Sequence, residues 1–230
     1  MGIDFNEGQI IPVDKPYQWT STKVVRRVKG ITKAKRVGHA GTLDPLATGL
    51  LIICTGKATK QIEQIQAQEK EYTGTIMLGA TTPTYDKEME PDQLFPWEHI
   101  TGEMVKQTAS AFVGEQMQVP PKYSAVKVEG QRGYAMSRSG KEFELKAKPV
   151  LIKEFEITRI DLPQVDFRIV CSKGTYIRSI AFDFGKKLES GGYLFSLTRT
   201  RIGNYLLENA VAVKNLIDLL PESEKTNEAV

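Results

Sequence analysis

One carboxylate gathers most of the chemistry this chain could perform. Asp44 lies in the run Gly38-His39-Ala40-Gly41-Thr42-Leu43-Asp44-Pro45-Leu46-Ala47-Thr48-Gly49, which packs three glycines and a proline into twelve residues. Such a run fixes a backbone that few side chains would tolerate, and a carboxylate displayed on it can serve as nucleophile or general base. A plainer alternative is a tight turn in which Asp44 caps the next element, and the run alone leaves both open. The alternative weakens because no second carboxylate, serine or cysteine competes for a catalytic role.

A second chemical segment is Val170-Cys171-Ser172-Lys173-Gly174-Thr175-Tyr176-Ile177-Arg178-Ser179. It reads as a strand that turns at Gly174 into a helix, with Tyr176 and Arg178 in the first turn. A turn of that kind presents an arginine to a carboxylate or phosphate in a defined orientation; an exposed ion-pairing arginine is the alternative.

Other chemistries find no footing. Gly56-Lys57 is followed by Ala58 and position 51 is Leu51, so no phosphate-binding loop is present, and no G-x-G-x-x-G follows a strand. Two histidines, His39 and His99, and two cysteines, Cys54 and Cys171, without CxxC or HxxxH spacing speak against a zinc site. Both cysteines stand in apolar stretches and read as buried, reduced thiols. No apolar run reaches the roughly 18 residues of a membrane span, and the first ten residues lack the apolar core of a secretory signal. Cytosol is the expected location.

The elements that must position these residues follow from periodicity and punctuation. Strands are expected over 9–13, 50–54, 71–78, 123–128, 148–160, 165–172 and 194–201. Helices are expected over 22–29 (capped by Thr20-Ser21, closed by Gly30), 57–68, 102–112, 132–138, 175–188 (capped by Thr175) and 211–220. The stretches 33–49 and 81–96 read as loops, the second exposed and acidic. Strands and helices mix without a βαβ rhythm, which predicts an α+β fold around a mixed sheet. One catalytic domain over 1–220 and an acidic tail over 221–230 are expected.

The charge is unevenly spread. Residues 1–60 carry a local +6, 61–120 a local −7, 121–150 +4, 151–202 +3 and 203–230 −3, within a net charge of +3. Blocks this segregated favour a polyanion-facing side.

Together these segments resemble the tRNA pseudouridine synthase B (TruB) family. The resemblance rests on GHAGTLDPLATG, on DKPYQWTS before it and CSKGTYIRSIAFDFG after it, on Lys70-Glu71-Tyr72, on 118–127 with Gly130, Arg132 and Tyr134, and on Leu197-Thr198-Arg199-Thr200. It covers roughly residues 8 to 203 in the family's order.

The resemblance implies a pseudouridine synthase fold, a central mixed and mostly antiparallel sheet flanked by helices. Its implied activity is isomerisation of uridine 55 in the T-loop of tRNA, without metal or organic cofactor. Asp44 would be the catalytic carboxylate, attacking ribose C1′ or uracil C6, and Arg178 the arginine that pairs with it. Tyr72 would stack on the flipped base, with Tyr176 and Leu197 as pocket walls. His39 would insert where the target base leaves, and Lys15 would be structural or phosphate-facing. Lys122, Lys127, Arg132 and Arg138 would contact the RNA backbone from an insertion at about 118–150. The chain departs from the family pattern at Gln18 and near Met89, where glycine is usual. It also matches a short form without the C-terminal PUA domain, for which weaker tRNA binding is expected. A monomer with no obligate protein partner is expected. The rival readings are the catalytic subunit of a guide-RNA pseudouridylation particle and a non-catalytic tRNA-binding chaperone.

Overall fold

Alternating burial along Ile10–Lys15 (β1) sends Ile11 and Val13 into a core, and the strand stops at Pro16, which has no N–H for a ladder. The computed structural model describes residues 4–124, 126–128, 131–132, 143 and 145–220. Helix α1 (Ser21–Thr32) starts at Thr20, whose side chain accepts from the Lys23 N–H. It runs through Gly30 and ends at Lys33, in the left-handed region at φ 52°. Gly30 is therefore inside the helix rather than its stop, because Ile31 still has a core to fill.

The expected loop over 33–49 contains a strand, β2 (Val37–Ala40), which pairs antiparallel with β3 (Thr48–Thr55), His39 facing Ile53 in register. All of β3 from Gly49 onward is buried, as its apolar run requires. The expected helix over 57–68 divides into a 3₁₀ turn (Gly56–Gln61) and a short α2 (Ile62–Ala67).

Then come β4 (Lys70–Leu78), β5 (Ala80–Thr81), β6 (Gln93–Leu94), α3 (Gly102–Ser110) and β7 (Gly114–Gln118); β5, β6 and β7 fall outside the expected strands. The expected strand over 123–128 is realised only as Lys127–Val128 (β8), paired with Gln131–Arg132 (β9). Arg132 thus belongs to a strand and not to a helix over 132–138, whose remaining positions lie outside the described residues. β10 (Lys148–Asp161) and β11 (Gln164–Cys171) form an antiparallel pair. Helix α4 (Ile177–Lys187) follows, then β12 (Gly192–Ile202), β13 (Tyr205–Leu206) and β14 (Val211–Ala212). The expected last helix is instead β14 and a 3₁₀ segment, Val213–Leu219.

The fold is α+β, with mixed and mostly antiparallel sheet pairing flanked by helices. It divides into two compact units, one holding residues up to Tyr72 and from Thr198, the other Thr73–Leu197. In the first, β14, β1 and β3 lie side by side, β2 also pairs with β3, and the end of β12 runs parallel to β3 with Arg199 opposite Gly49. Leu51 and Ile53 face a core shared with Val24, Val28 and Ile31 of α1. Leu50, Ile52 and Cys54 face another with Ile65 and Ile202. β3 is apolar throughout because both its faces are covered.

In the second unit, β11, β10 and β7 lie in order. Phe112, Phe155, Phe167 and Phe184 form its aromatic centre, with neighbouring ring centroids 5.6–6.1 Å apart. Among the described residues, no helix is long and apolar enough to cross a membrane.

Candidate active site

In the first unit, the link from β2 to β3 displays Asp44 on a backbone pinned from several sides. It leaves β2 at Gly41, with φ +92°, and rejoins β3 through Gly49, with φ +96°, both in the region that glycine enters without steric cost. Ser21, buried at the start of α1, donates through Oγ to the Leu43 carbonyl at 3.1 Å and accepts from the Leu43 N–H at 2.9 Å. Lys15, fully buried, donates through Nζ to the carbonyls of Trp19 at 2.6 Å, Pro16 at 3.2 Å and Pro45 at 3.3 Å. The two residues flanking Asp44 are therefore both tied to the scaffold. The Ala47 N–H closes the turn on the Asp44 carbonyl at 3.1 Å, and Asp44 itself is half-buried.

The remaining ties come from Arg199 on β12, whose guanidinium donates to the Leu50 carbonyl at 2.8 Å, Gly41 at 3.0 Å and Thr42 at 3.4 Å. Nothing in the residue pattern had singled it out beyond its place in the Leu-Thr-Arg-Thr run. An arginine between two threonines in a largely apolar strand was the available signal.

The charges follow from this packing. Burial pulls the Lys15 ammonium down to about 8; Asp44 opposes the shift and Arg199 adds to it. His39 lies on β2, not in the glycine turn, and its pKa is lowered by burial and then by Arg199. Tyr72, on β4, is buried in the same unit. The Cys54 thiol, pushed up to about 11 by burial, is inert at neutral pH.

The second unit holds Tyr176, Arg178, Leu197 and Lys122. Tyr176 stands at the head of α4, its N–H bound by Gln118 Oε1 at 2.8 Å and its carbonyl by Gln118 Nε2 at 3.1 Å. Thr175 does not cap this helix; its hydroxyl donates back to the Ser172 carbonyl at 2.9 Å. Arg178 is buried, donating to the carbonyls of Thr84 and Tyr123, each at 3.1 Å, with Nε 3.7 Å from Asp86 Oδ2.

Asp86 is the second residue the sequence reading missed. It lies in the stretch 81–96, where the sequence pattern predicts an exposed acidic loop, yet Thr82, Thr84 and Asp86 are all buried. The Thr84 hydroxyl at 2.6 Å and the Glu88 N–H at 3.0 Å both donate to Asp86 Oδ1. Leu197 is half-buried on β12, and Lys122 is exposed. Lys127 and Arg132 face each other in the β8–β9 register; Arg138 lies outside the described residues.

The fold and the pinned carboxylate define a class. Residues 29–177 match the model of the TruB family pseudouridylate synthase N-terminal domain, and the chain belongs to that family. Among individual relatives, it is 52% identical over 217 residues to tRNA pseudouridine synthase B of Flavobacterium johnsoniae, covering 91% of this chain and 95% of that one. It is 48% identical over 229 residues to the Phocaeicola vulgatus protein of the same name, covering 96% and 97%. Among solved structures, it superposes on the Cbf5 of a Cbf5–Nop10–Gar1 complex with a TM-score of 0.70 at 26% identity, over 94% of this chain and 55% of that one. The archaeal box H/ACA sRNP Nop10–Cbf5 complex gives 0.69 at 25%. The chain thus spans about half the length of those structural relatives.

Proposed function

We propose that this protein isomerises uridine 55 in the T-loop of tRNA to pseudouridine, with Asp44 as the nucleophile. Asp44 attacks the flipped nucleoside at ribose C1′ or uracil C6, the N1–C1′ glycosidic bond breaks, the uracil turns in place and rejoins C1′ through C5, and the bond to Asp44 breaks to restore the carboxylate. C5 loses its proton and N1, freed from the ribose, takes one up, so the product is an isomer and no co-reactant is consumed. Holding both fragments in one pocket supplies a high effective molarity for the second bond.

In this reading Arg178 is the arginine that pairs with Asp44. Tyr72 stacks on the flipped base, Tyr176 and Leu197 act as pocket walls, and His39 fills the gap left in the RNA. Lys15 holds the turn. Lys122, Lys127, Arg132 and Arg138 meet phosphates, each adding to the salt dependence of binding. The protein acts in the cytoplasm as a monomer, without cofactor or obligate protein partner, through one catalytic domain with an RNA-contacting segment at about 118–150.

The observation that carries the reading is the Asp44 turn, tied on both sides of the carboxylate, in a chain 52% identical to a tRNA pseudouridine synthase B. Likeness to Cbf5 of H/ACA particles favours a second reading, a guide-RNA-dependent subunit. Purified protein incubated with a naked T-stem-loop RNA separates the two. Pseudouridine at the T-loop position is expected; modification only when a guide RNA and partner proteins are added would overturn the stand-alone reading.

A further inference from the structure

The Asp44 turn is closed at both ends by one residue. The Arg199 backbone lies parallel to β3 opposite Gly49, so close that a Cβ on Gly49 would stand 2.5 Å from the Arg199 carbonyl oxygen. The same residue's guanidinium reaches the other end and takes the carbonyls of Gly41 and Thr42, while its Nε holds Leu50. Thr198, its neighbour, adds a hydroxyl contact to Thr48 at 2.8 Å.

Arg199 is 1% exposed. Among the described residues its hydrogen bonds all go to main-chain carbonyls, and no carboxylate pairs with it. Burying a guanidinium without a carboxylate is expensive, and stability alone would be served as well by an apolar side chain of similar volume. What an apolar side chain cannot do is bind three carbonyls in a fixed fork. Those three carbonyls bracket Asp44.

We infer that Arg199 is a positioning residue for the isomerisation, setting the aim of Asp44 by clasping both ends of its turn. The inference rests on the proposed chemistry at Asp44, and Arg199 touches neither substrate nor reacting atoms. A lysine at this position keeps the charge but loses the planar fork, so it cannot serve Gly41, Thr42 and Leu50 together. Displacing a reacting group by about 1 Å lowers turnover by roughly 10²-fold.

The test compares Arg199→Lys with Leu216→Ala, a core truncation in the same unit that touches none of the hydrogen bonds of that turn. Turnover, KM for tRNA and thermal midpoint are measured for each, well below the midpoint. Arg199→Lys is expected to lose about 10²-fold in kcat with KM within about threefold of the wild type. Leu216→Ala is expected to lose thermal stability and keep its kcat. Wild-type kcat in Arg199→Lys, or an equal loss of kcat in Leu216→Ala, would overturn the inference.

If Arg199→Lys does not fold, Gly41→Ala carries the same test with the guanidinium in place. Its Cβ has room, 3.6 Å from Arg199 Nη1, but φ +92° strains any residue with a Cβ. Reduced kcat at unchanged KM supports the clasp, and wild-type kcat refutes it. An inactive wild-type protein would count against the chemistry at Asp44, whereas an active wild type with an equally active Arg199→Lys counts against the clasp alone.

Discussion

Two aspartates, Asp44 in the first unit and Asp86 in the second, differ in how the chain around them is secured. Around Asp44 the ties run through the backbone: Ser21, Lys15 and Arg199 bind the carbonyls or N–H of Leu43, Pro45, Gly41, Thr42 and Leu50. Around Asp86 the carboxylate itself is engaged, taking the Thr84 hydroxyl, the Glu88 N–H and the Arg178 guanidinium. Asp44 is half-buried and Asp86 is buried. A carboxylate meant to form and break bonds needs a rigid support and access to substrate. A carboxylate meant to hold an arginine needs its oxygens occupied. The difference teaches how far backbone ties alone can fix a displayed carboxylate, whatever its own oxygens meet.

The comparison breaks most visibly at Asp44. Asp44→Asn is expected to lower turnover by at least about 10⁴-fold, with the circular dichroism spectrum and tRNA affinity unchanged. Next comes Asp86→Ala, which removes the carboxylate that lies 3.7 Å from Nε of the buried Arg178. A loss of about 3 kcal/mol in stability is expected, as for other broken buried pairs, with a loss of turnover transmitted through Arg178; denaturant titration and kinetics check the two. If Asp86→Ala were as inactive as Asp44→Asn yet fully stable, the division between a reacting and a holding carboxylate would be wrong.

A subtler probe is pH. With Lys15 lowered to about 8 from 10.5, its ammonium loses the proton near pH 8 in the folded protein and near 10.5 in the unfolded chain. The unfolded chain binds more protons between those values, so this group's share of stability improves as pH rises from 8 to 10.5. Activity is expected to move the other way, because a neutral amine has one fewer N–H for three carbonyls. A basic limb with an apparent pKa near 8 is expected in the rate profile, and Lys15→Arg should remove it. A limb unchanged in that variant would assign it to another group.

The smallest effect concerns Gln18, where φ is +63°. A non-glycine residue there carries roughly 1–2 kcal/mol of backbone strain, partly offset by the greater unfolded-state freedom of glycine. Gln18→Gly is expected to raise the thermal midpoint by a few degrees without changing kcat.

Much of this was legible in the sequence, for physical reasons that differ from residue to residue. The Asp44 turn announced itself because three glycines and a proline leave few backbone solutions, and Thr20 announced α1 because a capping hydroxyl is local. Both depend on neighbours in the chain. The departure at Gln18 from the family's usual glycine also marked a real left-handed position. Arg199 and Asp86 were missed because their partners are distant in sequence: Arg199 binds residues about 150 positions away, and Asp86 meets Arg178 across the fold. The polar, proline-marked run around Asp86 reads as exposed until a buried guanidinium gives it a reason to fold inward. β2 was lost in the glycine-rich stretch because its pairing with β3, not its own propensity, makes it a strand. The last expected helix failed likewise, since Val211 and Ala212 pair with β1 before a helix can start.

The most direct test of the central claim is release of tritium from tRNA carrying C5-labelled uridine. Wild-type protein should release one equivalent per T-loop while Asp44→Asn, bound to the same tRNA, releases none above background. Equal release by both proteins would contradict the account.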